Sequence, residues 1–215
     1  MDLQNDYNNF LRADTIIVLD FETTGLSPQM GDRAIEIGAV LLEEGKVKAR
    51  FQELMNPGFR ISSFIESYTG ITNDMLEDAP PCSQVMDRFA DFIGSYNLIA
   101  HNASFDKRFL DSEFRKIQRR YKGTFACSMR LSRRVYQDSP NHKLSTLVRY
   151  KNIRTDGVFH RALADSEMTA RLWMHMLEDL ERRYGLSDLP FEFIEKLSKK
   201  PKASVHRFLS NINNV

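Results

Sequence analysis

The sequence predicts an α/β fold: a mixed five-stranded sheet, three antiparallel strands followed by two parallel ones, flanked by helices. Three observations carry this expectation. Residues 15–21 (TIIVLDF) form an unbroken apolar run with β-branched residues, the pattern of a strand covered on both faces. Residues 34–42 and 46–55 are strand-like runs separated only by Glu43, Glu44 and Gly45, as in a hairpin. Residues 83–127 then alternate helical and strand patterns twice, which is how parallel strands are joined.

The remaining elements follow in order. After Pro57-Gly58, residues 61–81 read as short helical turns broken by Gly70 and the Pro80-Pro81 pair. Val85, Met86, Phe89, Phe92 and Ile93 recur at helical spacing, and residues 97–100 make a short buried strand. Phe105, Phe109, Leu110, Phe114 and Ile117 predict a helix over 104–120, and residues 124–127 a fifth strand. A short helix over 128–136, a loop at Ser139-Pro140-Asn141, a helix over 143–150 and a long helix over 161–184 complete the pattern. The expected organisation is one catalytic-size domain over residues 1–184 and a C-terminal helical extension over 185–215. The apolar residues of that extension would dock on the domain or on a partner.

The chain has 215 residues, 42% of them hydrophobic, with a formal net charge of +1, as in an ordinary globular domain. No apolar stretch is long enough for a membrane span, and the N-terminus is polar and acidic, unlike a secretory signal. Only Cys82 and Cys127 occur, which supports neither a disulfide framework nor a zinc site and fits a reducing cytoplasm. Charge is unevenly spread. Residues 115–134 hold eight Lys and Arg and no acid, and residues 196–207 add five more cations without an acid. Such clusters read either as solvated helix faces or as a surface for a polyanion.

Chemistry is expected at the acids. Asp20 and Glu22 close the first strand, and side chains two apart on a strand share a face, with Cβ atoms about 6.5–7 Å apart. Asp111/Glu113 and Asp165/Glu167 have the same Asp-x-Glu spacing. Position distinguishes Asp20/Glu22, because ligands bind at the carboxyl ends of strands in open sheets. Asp106 opens the helix after the fourth strand, and Asp165 lies in the first turns of the last long helix. Either acid alone also suits the helix dipole. His101 precedes Asp106, and His160 precedes Asp165, by the same five residues, so spacing does not identify a reactive histidine. Five helical residues separate two side chains by about 140°. His160 and Asp165 can therefore share a site only if His160 lies before the helix. Four carboxylates from three segments favour hard Mg²⁺ or Mn²⁺ over zinc. With a neutral histidine to take a proton from water, they point to phosphodiester hydrolysis.

The segments VLDFETTGLSP, HNASFDKRFL and HRALADSEMTA, in this order and spacing, resemble the three motifs of the DnaQ-like DEDDh 3′-to-5′ exonucleases. GDRAIEIGAV, NPG and TGITNDMLEDAP are also similar to that family's core, and the likeness spans residues 14–180. The resemblance implies an RNase H-like fold. It implies Asp20, Glu22, Asp106 and Asp165 as metal-binding carboxylates, two Mg²⁺ or Mn²⁺ ions, His160 as general base, and release of 5′-mononucleotides from a 3′ end. It further implies that Thr23, Thr24, Gly25, Leu26 and Phe105 bind the terminal nucleotide, and that His101 and Asn102 support the second motif. One position departs from the pattern. Proofreading subunits often carry a histidine where Thr69 precedes Gly70-Ile71.

The expected substrate is the 3′ end of a single-stranded nucleic acid, DNA in preference to RNA, and a DNA polymerase subunit is a candidate partner. Two alternatives stand beside it: a 3′-to-5′ exoribonuclease of the RNase T or oligoribonuclease type, and a nucleic-acid-binding module that has lost its chemistry. The five filled positions count against the last.

Overall fold

The strands β1 (Ile16–Thr23), β2 (Ala34–Glu43), β3 (Lys46–Leu54), β4 (Asn97–Ala100) and β5 (Phe125–Cys127) form one sheet in the order β3-β2-β1-β4-β5. β1 pairs antiparallel with β2 and parallel with β4, β2 pairs antiparallel with β3, and β4 pairs parallel with β5. This is the expected mixed sheet. The computed structural model describes residues 12–154 and 161–212.

Alternation along β1 divides the interior into two layers. Ile17, Leu19 and Phe21 face one side, where they pack with α3 (Cys82–Ile93) and α4 (Ser104–Lys116) through Phe89, Phe109 and Phe114. Ile16 and Val18 face the other side, against α5 (Ser128–Val135), α6 (Leu144–Tyr150) and the long α7 (Ala162–Tyr184). Trp173 of α7 is fully buried there and donates its indole N–H to the Ala13 carbonyl at 2.7 Å. α8 (Phe191–Lys199) and α9 (Val205–Ser210) join this second layer through Phe191, Ile194, Leu197, Val205 and Leu209.

The loose region after Pro57-Gly58 contains α1 (Ser63–Thr69) and α2 (Asn73–Glu77). The Ser62 and Thr72 hydroxyls cap their amino ends by accepting from the backbone N–H groups of Ile65 and Met75. Ile61, Ile65, Ile71 and Leu76 form a small separate core with Ile35. α4 is shorter than its periodicity predicts. Gln118 adopts φ +57°, and the Arg119 N–H returns to the Phe114 carbonyl at 2.9 Å, which turns the chain toward β5 while Ile117 and Tyr121 still pack on the sheet. Among the described residues, no helix is long and apolar enough to cross a membrane, and both cysteines are free thiols.

Candidate active site

β1 is the strand at which the sheet changes direction, with an antiparallel neighbour on one side and a parallel neighbour on the other. Loops therefore diverge at its carboxyl end and leave a crevice. Asp20 and Glu22 point from that end toward the α7 layer. Asp165 approaches from the first turn of α7, and ligand oxygens of the three carboxylates lie within 4.8 Å of one another.

β2 brings α7 this close. Gly38 lies opposite Asp20, and a Cβ on Gly38 would fall 2.1 Å from the Leu163 nitrogen and 2.2 Å from the Ala162 carbonyl carbon, so only glycine admits the helix. The Ser166 hydroxyl donates to the Gly38 carbonyl at 2.9 Å. Two residues earlier, Glu36 lies opposite Glu22 and is 0% exposed. Its carboxylate accepts from the Ala162 N–H at 3.1 Å, from Arg161 at 2.8 Å and from Gln52 at 2.9 Å. Glu36 thus supplies the acceptor that the buried amide at the start of α7 requires, in place of a side-chain cap on the helix itself. Sequence reading missed Glu36 as part of this assembly. The available signal was an acid embedded in the otherwise apolar AIEIGAV run.

Asp106 arrives from the other layer. It occupies the first turn of α4 and is buried, and its Oδ1 accepts from the Phe21 backbone N–H at 3.2 Å, which ties the helix start to β1. The other Asp-x-Glu pairs have different surroundings. Asp111 pairs with Lys107, Glu113 with Arg33 and Lys116, and Glu167 with Arg50 and Arg171. Asp20 and Glu22 have no ion-pair partner among the described residues. Burial together with the surrounding carboxylates pushes Glu22 up to about 8, and burial first, then Asp106, Asp165 and Glu22, raises Asp20 well above the carboxylate range. Burial likewise raises Asp106, against the opposing pull of backbone N–H donors. An oxygen-only donor set of buried, mutually repelling carboxylates suits a hard divalent ion.

Asp20, Glu22 and Asp165 line a cleft of about 550 Å³, while Asp106 lies buried outside its lining. Thr23, Gly25, Leu26 and Phe105 line it, as does Thr69. The Thr23 hydroxyl donates to the Gly25 carbonyl at 2.6 Å. Thr24 sits behind the cleft, where its hydroxyl accepts from the Arg33 N–H and stiffens the loop that carries Leu26. Leu26 is 76% exposed at the rim. Opposite it stand Phe64, 71% exposed, and Tyr68, their rings stacked at 6.1 Å with 13° between planes. This aromatic pair escaped sequence reading, although the i, i+4 spacing of two rings in a polar helix was its signal. Thr69, at the position where a histidine is frequent, instead binds its own helix: its hydroxyl donates to the Ile65 carbonyl and accepts from the Ile71 N–H.

The two histidines separate clearly. His101 is held by both ring nitrogens, with Nε2 2.9 Å from the His142 carbonyl and Nδ1 2.8 Å from the Ser128 hydroxyl. A carbonyl only accepts, so Nε2 carries the proton and Nδ1 accepts from the Ser128 hydroxyl, which lies closer to it than to the Ala100 carbonyl at 3.3 Å. Burial pushes the His101 pKa down to about 4. His101 is therefore a neutral brace between β4 and α5, with no nitrogen left for a substrate. His160 lies outside the described residues, while α7 starts at Ala162 with Arg161 as its N-cap, so His160 precedes the helix in the chain. Asn102 does not reach the carboxylate cleft. It adopts φ +68° after β4 and lines a neighbouring basic cleft.

Residues 17–173 match the family model for exonucleases of the RNase T type. The chain belongs to the DnaQ-like DEDDh 3′-to-5′ exonuclease family. It is 40% identical over 165 residues to a PolC-type DNA polymerase III of Caldanaerobacter subterraneus subsp. tengcongensis, a match that covers 77% of this chain and 12% of that one. With the corresponding protein of Bacillus subtilis it shares 38% identity over 177 residues, covering 81% and 12%. The chain thus spans about an eighth of the length of these polymerases. Among solved structures, Exonuclease X in complex with 5′-overhanging duplex DNA aligns with a TM-score of 0.64 at 27% identity, covering 83% of this chain and 98% of that one. The nuclease domain of 3′hExo, a DEDDh member bound to rAMP, aligns at 0.67 and 26%, covering 77% and 92%. The sheet is accordingly RNase H-like, and this exonuclease domain is a hydrolase of the 3′-to-5′ class.

Proposed function

We propose that this exonuclease domain removes nucleotides from the 3′ end of single-stranded DNA, releases them as 5′-mononucleotides, and serves a DNA polymerase as its proofreading activity. The observation that carries this reading is the convergence of Asp20, Glu22 and Asp165 beneath an exposed apolar rim. Leu26, Phe64 and Phe105 offer surfaces on which a splayed terminal base stacks, and the loop from Thr23 to Gly25 bounds the sugar. Two Mg²⁺ or Mn²⁺ ions, held by Asp20, Glu22, Asp106 and Asp165, would acidify the attacking water and set positive charge against the phosphate oxygens. His160 takes the proton of that water as general base. Water oxygen bonds to phosphorus, the bond to the 3′-oxygen of the preceding nucleotide breaks, and the departing oxygen is protonated. Glu36 holds Arg161, next in the chain to that base.

DNA is preferred over RNA because the relatives sharing 33–40% identity are DNA polymerases, whereas the nuclease domain bound to rAMP shares 26%. The test is a side-by-side assay of Mn²⁺-dependent mononucleotide release from 3′-labelled single-stranded DNA and RNA. Faster release from DNA is expected. Faster trimming of RNA would overturn the substrate choice, and no release from either would overturn the exonuclease reading.

A further inference from the structure

A second cleft opens on the same edge of the sheet, at the carboxyl ends of β4 and β5. Its volume is about 580 Å³, and it lies between the turn before α4, the start of α5 and the end of α8. It adjoins the carboxylate cleft: Asn102, Ala103 and Ser104 line one, and Phe105, next in the chain, lines the other. From β1 to β5 there are two strand spacings, about 10 Å.

Besides Lys107 of α4, which pairs with Asp111, this cleft gathers cations from two distant parts of the chain. Arg130, Arg133 and Arg134 come from α5, and Lys199 comes from the end of α8. The basic run at 115–134 is thereby divided. Its first half lines no part of this cleft, and two of its cations are matched, Lys116 with Glu113 and Arg119 with Asp87 and Asp91. The second half does line it. Arg130, Arg133 and Lys199 have no carboxylate partner among the described residues, and Arg134 hydrogen-bonds only to the backbone carbonyls of Lys200 and Arg130. Burial, then Arg130 and Arg133, lowers the Arg134 pKa, a sign that the cations repel one another. Glu195 is the one acid that lines the cleft. Four cations without a carboxylate partner around one hollow make a surface that attracts an anion.

We infer that this cleft is a track for the phosphodiester backbone of the nucleic-acid strand whose 3′ end occupies the carboxylate cleft, holding phosphates a few nucleotides upstream of the scissile bond. The inference rests on the proposed exonuclease function. Contiguity through residues 102–105 favours one continuous strand. Phe125 is the single aromatic residue among those that line the cleft, against four cations without a carboxylate partner, which suits a backbone read chiefly by charge.

The test measures fluorescence anisotropy of a 5′-labelled twelve-nucleotide single-stranded DNA in EDTA, so that binding is read without turnover. The variant Arg130→Ala, Arg133→Ala, Lys199→Ala is compared with a control that loses three charges elsewhere: Lys48→Ala, Arg88→Ala, Arg119→Ala. The first set should weaken binding at low salt about tenfold and make the slope of log affinity against log salt shallower by about 2. The control should retain the wild-type slope. Equal loss in both sets, or loss in neither, would overturn the track. Mn²⁺-dependent nucleotide release by the wild-type protein is scored separately. Track-dependent binding without any release would overturn the catalytic reading and leave the track standing.

Discussion

The two clefts on the carboxyl edge of the sheet are opposites in charge and alike in principle. One concentrates carboxylates at the end of β1, where Asp20 and Glu22 form no ion pair among the described residues. The other concentrates guanidinium and ammonium groups on two helices, with a single acid on its wall. Other charges are matched within the chain, among them Arg33 with Glu113, Lys151 with Asp179 and Arg88 with Glu53. Like charge held together favours a ligand of opposite sign in both clefts, and the buried acids gain more from it than the solvated cations. The depth of burial differs. Buried acids hold a small hard ion, whereas exposed cations hold an extended polyanion that changes with every turnover.

The largest break in this comparison comes from the acid floor. Asp20→Ala or Asp165→Ala should lower nucleotide release from 3′-labelled DNA by about three orders of magnitude or more, because charge stabilisation is lost at the reacting phosphate. Asp20→Asn should at the same time raise the melting temperature of the metal-free protein, since one repelling carboxylate is gone, and abolish the stabilisation by Mn²⁺. Full activity in either Ala variant would end the metal assignment. His160→Ala should cost about 10²–10⁴ in rate. The Mn²⁺-induced shift in melting temperature should persist in that variant.

Glu36→Gln probes the brace behind the floor. Loss of a buried carboxylate partner typically costs about 3–5 kcal/mol, and the partial exposure of Arg161 reduces the expected loss to about 2 kcal/mol, read by urea unfolding. Activity should fall with it, since Glu36 orders the start of α7. A variant with unchanged stability would show that Gly38 and Ser166 alone seat the helix.

Phe64→Ala sharpens the role of the rim. Stacking on an aromatic is worth about 1–3 kcal/mol per base, so the KM for a single-stranded oligonucleotide should rise about tenfold. No change would return Phe64 and Tyr68 to mere surface packing. The smallest effect concerns His101. Its folded-state pKa lies near 4, below the ordinary value of 6.5. The unfolded chain therefore takes up a proton first, and stability is lost as pH falls from about 6.5 toward 4. His101→Gln should remove about 1 kcal/mol of the stability difference between pH 7 and pH 5.5, seen as a flatter plot of melting temperature against pH.

These regions also differ in how far they were legible beforehand. The strand order and the acids at strand ends and helix starts depend on periodicities of two and 3.6 and on position along each element, which are local properties of the chain. The motif order and spacing then sufficed to name the exonuclease family. The single helix expected over 104–120 stops at Lys116, because residues after it turn to reach β5 and no local signal announces the turn.

By itself the sequence determined the mixed sheet and the acids placed at strand ends and helix starts, because alternation and helical repeat depend only on neighbours in the chain. Only the tertiary structure decided that His101 is a brace, that Glu36 and Gly38 seat α7, that Phe64 and Tyr68 rim the acids, and that half of one basic run joins Lys199 around a second cleft. Each of those facts depends on groups tens to more than a hundred residues apart, or on the side to which a ring turns. Equal spacing, as in the two His-x4-Asp segments, carries no information about which partners fill a side chain's hydrogen bonds once the layers close.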